Sequence, residues 1–362
     1  MLLSFPHMGK IHLALEETFK LLELPYILPS LPGPRAVELG KELAPEGSCF
    51  PFVLVLGNMR EALDKGADTL IMLGGSGPCR FGFFVYLAER ILQDAGYSFR
   101  LLIIDKGHNL ETLRALVGEQ NIGVGTFISA VRKGWQRVVC EEALGNLERE
   151  FLPQAYEPES FRKALRNWRK EMCAANSVAQ LVKIRTKAED YVRSMSLLPT
   201  EKTLKVGLVG DIYTLLEPYA NQNIEDYLNR HQVSIIKDMA LSAWIPNTLL
   251  PWRKEPYKRK LLKHAYPFLQ DSVGGFGLES VANSVKYSMG NVDGIIQLFP
   301  LGCMPEIVAR SALSRFGSKE GVPIMSIPMD EHDSSTGFAT RLEAFLDMLW
   351  RRKNGELRKE IV

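Results

Sequence analysis

Three of the five cysteines share a setting that suits a negatively charged sulfur. Cys49 lies in "APEGSCFPF", just ahead of Pro51, where the proline suits the first turn of a helix running to about Lys65. Cys79 follows Pro78 in "TLIMLGGSGPCRFGFF" and opens a helical pattern, and Cys303 precedes Pro305 in "FPLGCMPE". Each is expected in a loop at a helix N-terminus, where unpaired N–H groups and the helix dipole favour thiolate over thiol by roughly 0.3–1 kcal/mol per helix end. Three such ends brought together would suit an anionic metal–thiolate centre. Spacing alone leaves open three unconnected loop cysteines, because there is no C-x-x-C pair of the kind that marks zinc and ferredoxin sites. Cys140 and Cys173 fall inside helical patterns and read as packing residues.

The glycines around Cys79 invite two other readings, and the letters exclude both. A phosphate-binding P-loop needs Lys and Ser/Thr after its second glycine, and Phe83 and Phe84 follow Gly82 instead. A dinucleotide fingerprint needs a third glycine where Arg80 stands. A cysteine hydrolase needs a base beside the thiol, and none of the six histidines pairs with Cys79 on sequence grounds.

Polar residues at other strand ends complete the candidate set. "IPMDEHDSSTG" places Glu331 and His332 just after a predicted strand, where they can move protons or hydrogen-bond a bound group, while Asp333 reads as a helix cap. Arg80 can pair with an anion or a metal centre. His7 follows the first strand and reads as structural, and Asp211, Tyr213 and Asn221 in "GDIYTLLEPYANQN" stand behind the site as supporting residues. The basic stretch "WRKEPYKRKLLKH" (252–264) reads as a solvated helix face.

These residues need a scaffold of parallel strands. Short aliphatic runs alternate with longer amphipathic segments, the pattern of parallel α/β architecture. Strands are expected at 2–5, 26–29, 69–73 and 100–105, and again at 204–210, 233–238, 294–300 and 322–328. In both sets the third strand runs into a Gly/Pro turn bearing a cysteine, at the carboxyl edge where parallel sheets bind ligands. Between them the strand signals vanish and charged, Ala/Leu-spaced sequence predicts long helices, followed by a linker at 196–203. The expected organisation is an N-terminal α/β domain at 1–120, a helical bridge at 121–200 and a C-terminal α/β domain at 201–362.

Composition sets the outer limits. With 44 basic against 42 acidic residues the net charge is +2, and no global field points to nucleic acid. No run reaches the ~18 apolar residues of a membrane span and no secretory signal opens the chain, so a cytoplasmic protein with reduced cysteines is expected.

Taken together, "APEGSCFPF", "GADTLIMLGGSGPCRFGFF", "KVGLVGDIY", "FPLGCMPE" and "IPMDEH" resemble the 2-hydroxyacyl-CoA dehydratase superfamily, in particular its small activase-related iron–sulfur proteins. The resemblance implies two flavodoxin-like parallel-sheet domains joined by a helical segment, with a 4Fe-4S cluster between them. It assigns the ligands to Cys49, Cys79 and Cys303, leaving one iron open to water or substrate oxygen. It implies as partner an ATP-dependent activase with its own iron–sulfur cluster, as substrate an acyl-CoA or other small molecule, and a dimer as assembly. An electron relay without substrate and a structural zinc protein are the alternatives.

Overall fold

The computed structural model describes residues 1–74, 81–104, 112, 114–249, 251–332 and 334–355. The first half runs β1 (Leu3–Ser4), α1 (Ile11–Leu21), α2 (Pro34–Lys41), α3 (Phe50–Asp64), β2 (Thr69–Leu73), α4 (Phe81–Asp94) and β3 (Arg100–Ile104). Three long helices follow: α5 (Val124–Phe151), α6 (Pro158–Ala174) and α7 (Val178–Ser194). The second half comprises β4 (Leu204–Gly210), α8 (Ile212–Leu216), α9 (Ile224–Arg230), β5 (Val233–Ile236), α10 (Leu241–Leu249) and α11 (Pro251–Ala265). It closes with α12 (Gly277–Met289), β6 (Gly294–Pro300), α13 (Met304–Glu320), β7 (Ile324–Met329) and α14 (Ser335–Lys353).

The strands form two parallel sheets, ordered β1-β2-β3 and β5-β4-β6-β7. The second order is that of a doubly wound flavodoxin-like sheet, whose crevice opens between β4 and β6 where the winding reverses. The first sheet lacks one expected strand. Residues 26–29 make only an isolated parallel bridge between Tyr26 and Leu3, stitched by Leu3 N–H to the Pro25 carbonyl and Ile27 N–H to the Leu3 carbonyl. Pro25 and Pro29 carry no N–H to extend the ladder, and β1 offers only two residues to pair with. The segment therefore sits at the edge position of a 2-1-3-4 order without forming the strand.

The helical segment has its own apolar centre. Cys140, Leu144, Phe161, Leu165, Trp168, Met172 and Leu181 pack together, with Leu181 and Ile184 supplied by α7. Cys140 fits the packing role expected of it, and Cys173 does not: it is exposed. Phe161, Leu165, Trp168 and Met172 take the inner stripe of α6 at three- and four-residue spacing, and position 173 falls off that stripe. Among the described residues no helix is long and apolar enough to cross a membrane. The basic stretch is a helix, α11, with Leu261 and Ala265 buried and Trp252 facing out.

The helix carrying Cys49 is set by two glycines. A Cβ on Gly57 of α3 would overlap the Ala36 carbonyl oxygen of α2, and a Cβ on Gly40 of α2 would overlap the Val53 carbonyl oxygen of α3. Only hydrogen at both places lets the two backbones cross this closely. We expect Gly57→Ala to destabilise the chain by about 3 kcal/mol, the upper end for overpacking a core, seen as a melting temperature lowered by several degrees. A variant melting with the wild type would mean that α2 yields at no cost.

Candidate metal and substrate site

Cys49 and Cys303 occupy equivalent backbone positions in opposite halves of the chain. Each is the N-cap of its helix, with extended backbone (φ −75°, ψ 151° and φ −70°, ψ 102°), and each helix has proline in its first turn. Both thiols are half-buried. Main-chain bonds shape both turns: Phe52 N–H donates to the Cys49 carbonyl at 2.9 Å, and Cys303 N–H donates to the Pro300 carbonyl at 3.0 Å. Cys79 and Arg80 lie outside the described residues, as does Asp333.

The two halves meet along their carboxyl edges. Phe50, beside Cys49, packs its ring 6.4 Å from that of Tyr219 after β4. His7, after β1, sets Nδ1 2.8 Å from Glu217 Oε2, and Gly9 N–H donates to the same oxygen at 3.0 Å. Lys41 Nζ at the end of α2 lies 3.3 Å from His332 Nε2 after β7. Cys49 thus stands on the seam, while Cys303 follows β6, the neighbour of β4 on the opposing edge.

Tyr213 bears on the question of a thiolate-bound group. Its side chain is fully buried, yet its hydroxyl has no hydrogen-bond partner among the described residues. Burial first, then the negative charges of Glu217, Asp211 and Cys49, push that hydroxyl well above the ordinary tyrosine range. It keeps its proton and so offers an unused hydrogen-bond donor beside a cysteine, which is what sulfur atoms of an anionic cluster accept. The described donor set therefore fits such a group as far as it reaches. Among the described residues no group of three or more His, Cys, Asp or Glu is arranged to hold a metal ion, Cys79 being outside them.

Around Cys303 lie acids, of which Asp211 was expected from the sequence and Glu306 and Glu279 were not. Glu306, one turn into α13, is fully buried, and its carboxyl receives Ser280 Oγ at 2.9 Å and Gln297 Nε2 at 2.8 Å. Burial raises it to about 8, helped by the charges of Asp211 and Glu279. Glu279 is itself raised to about 7 by burial. Asp211 caps α8, accepting Thr214 N–H at 3.1 Å, and burial raises its carboxyl too. The clue in the sequence was Gln297, a lone amide inside "GIIQLFP", which a fully buried strand tolerates only with a polar partner.

The remaining candidates divide. Glu331 is half-buried, and burial followed by a hydrogen bond from the Asp330 side raises its carboxyl. His332 is 70% exposed, 3.8 Å from Glu331. Asn221 is a loop stitch, its amide donating to the Thr214 carbonyl and its oxygen accepting Ile224 N–H.

Residues 261–349 match the family model described as 2-hydroxyglutaryl-CoA dehydratase, D-component. This match supports membership of the 2-hydroxyacyl-CoA dehydratase superfamily. The matched segment runs from the end of α11 into α14, so it contains Cys303, the buried Ser280–Gln297–Glu306 group, Glu331 and His332. The family suggests a function like that of a dehydratase component. No curated protein matches the chain.

Proposed function

We propose that the chain is a redox component of the dehydratase type that holds one 4Fe-4S cluster through Cys49, Cys79 and Cys303, between α/β units at 1–120 and 201–362 bridged by 121–200. The observation that carries this reading is the pairing of Cys49 and Cys303 as helix N-caps on facing sheet edges, with the unpartnered Tyr213 hydroxyl beside Cys49. When bound, the cluster would supply a low-potential electron and an iron not committed to a protein thiolate.

The chain's own residues then have distinct tasks. Tyr213 would offer its unpartnered hydroxyl as a hydrogen-bond donor to the cluster. Glu331, its carboxyl raised by burial and Asp330, keeps a proton for a departing hydroxyl, and His332 and Arg80 are the further polar residues assigned to an acyl-CoA or other small substrate. Leu301, Met304, Ile307 and Val308 form an exposed apolar rim around Cys303, suited to docking an ATP-dependent activase that delivers the electron. We assign the protein to the cytoplasm, as a dimer.

The test is anaerobic purification followed by iron and acid-labile sulfide analysis and EPR of the dithionite-reduced protein. Four irons and four sulfides per chain, with a reduced-cluster signal, are expected. A colourless protein with stoichiometric zinc would overturn the reading in favour of a structural metal site.

A further inference from the structure

His7 is only 3% exposed, and its Nε2 has no hydrogen-bond partner among the described residues. Everything else about the ring is fixed. Its main-chain N–H donates to Asn58 Oδ1 at 3.2 Å, its face stacks on His12 with centroids 4.8 Å apart, and Nδ1 meets Glu217 Oε2. That oxygen also accepts Gly9 N–H, so it acts as an acceptor and the imidazole proton sits on Nδ1. In the neutral ring the lone pair is then left on Nε2, the nitrogen opposite the one that meets Glu217. A buried, unpaired nitrogen is costly to the fold, and such an atom calls for an occupant.

The ring lines a cavity of about 70 Å³ where the first sheet's winding reverses, at the carboxyl ends of β1 and β2. Its other walls are apolar, the ring of Phe5 together with aliphatic and thioether side chains such as Leu15, Val55, Ile71, Met72 and Ile104. That is about half the size of the roughly 150 Å³ apolar cavity that takes up benzene, enough for an aliphatic group of about three carbons. A carboxylate placed there would lose its hydration with no cation among these walls to offset the loss. One acceptor nitrogen in an apolar chamber fits a ligand with one hydroxyl and otherwise only carbon and hydrogen at that end.

We propose that this cavity binds the short, uncharged aliphatic end of a hydroxyacyl ligand, with the ligand hydroxyl donating to His7 Nε2 and Glu217 fixing the imidazole tautomer. The choice of an acyl ligand rests on the dehydratase-type reading; the size and neutrality of its side chain come from the cavity. The chain would accordingly take a neutral hydroxyacyl group in place of the dicarboxylic group named in the matched family's description.

Binding is measured on the full-length protein by ligand-observed NMR, together with long-range ¹⁵N spectra of its histidine rings. The probes are 2-hydroxybutyramide, butyramide and 2-hydroxyglutarate. The first should bind in the millimolar range and shift the Nε2 resonance that His7→Gln removes. Butyramide, lacking the hydroxyl, should bind about tenfold more weakly, and 2-hydroxyglutarate should not compete. Leu15→Trp, which fills the cavity, should abolish binding while leaving far-UV circular dichroism and the melting temperature near wild type. Absence of 2-hydroxybutyramide binding, equal binding of butyramide or 2-hydroxyglutarate, or undiminished binding by Leu15→Trp would each overturn the proposal. None of these readouts uses iron, so loss of the cluster assignment and loss of this pocket would be seen separately.

Discussion

Replacing Cys303 by alanine is expected to remove the iron from a chain that still folds. The turn before α13 is built from main-chain bonds, Cys303 N–H to the Pro300 carbonyl and Ile307 N–H to the Cys303 carbonyl, and neither uses the sulfur. The helix is anchored further along by the buried Pro305, Ala309, Leu313 and Phe316. Loss of a half-buried N-cap sulfur should therefore leave the fold in place, at a cost of about 1 kcal/mol. A cluster held by three thiolates has no spare ligand, so Cys303→Ala, Cys49→Ala and Cys79→Ala should each lose most of the iron and sulfide.

Cys140→Ala is the opposite case. That sulfur is buried between α5 and α7, 3.6 Å from the Leu181 carbonyl, and burial pushes its thiol up to about 11. It is a packing thiol, and its truncation should cost roughly 1–2 kcal/mol of stability with iron content unchanged. Metal analysis and thermal melts across the series would show iron loss and stability loss falling on different residues. Iron retained in all three loop variants would sink the ligand assignment.

The sequence carried the second sheet almost completely. β4 and β6 read as apolar runs broken only by Lys205 and Gln297, as a parallel sheet covered on both faces asks, and Leu204–Gly210 and Gly294–Pro300 form as expected. The N-cap places of Cys49 and Cys303 were equally legible, because proline in the first turn announces where a helix begins. What local pattern could not carry was pairing at a distance. His7 finds Glu217 some two hundred residues along the chain, so a histidine that reads as structural also lines a cavity with a nitrogen unpaired among the described residues. Residues 26–29 fail as a strand because their neighbour β1 is too short to pair with, a property of another segment. Glu306 was missed for a related reason. In a helix's first turn a glutamate reads as a surface complement to the dipole, and only Ser280 and Gln297, brought in from α12 and β6, show it to be internal.

Glu306→Gln is expected to make the protein less sensitive to alkaline pH. Burial places the folded-state value near 8, above the ordinary 4.5, so between those limits the folded chain binds a proton that the unfolded chain has released. The sign follows: stability contributed by the protonated carboxyl is fully present below about 4.5 and falls as pH rises toward 8, by at most about 1.4 kcal/mol per pH unit. Glutamine carries no such proton. Its amide can donate to Ser280 Oγ while its oxygen accepts from Gln297 Nε2, so the buried network stays paired. Urea midpoints at pH 5, 6.5 and 8 should therefore converge for wild type and variant at the low end and separate at the high end, with the variant more stable by on the order of several kcal/mol. Some decline should survive in the variant below pH 7, because Glu279, raised to about 7, titrates in the same direction. A variant whose midpoints fall in parallel with the wild type would show Glu306 to be ionised in the fold. A protonated Glu306 also matters to the proposed site, because a neutral carboxyl one turn from Cys303 adds no negative charge where an anionic cluster would have to accept a further electron.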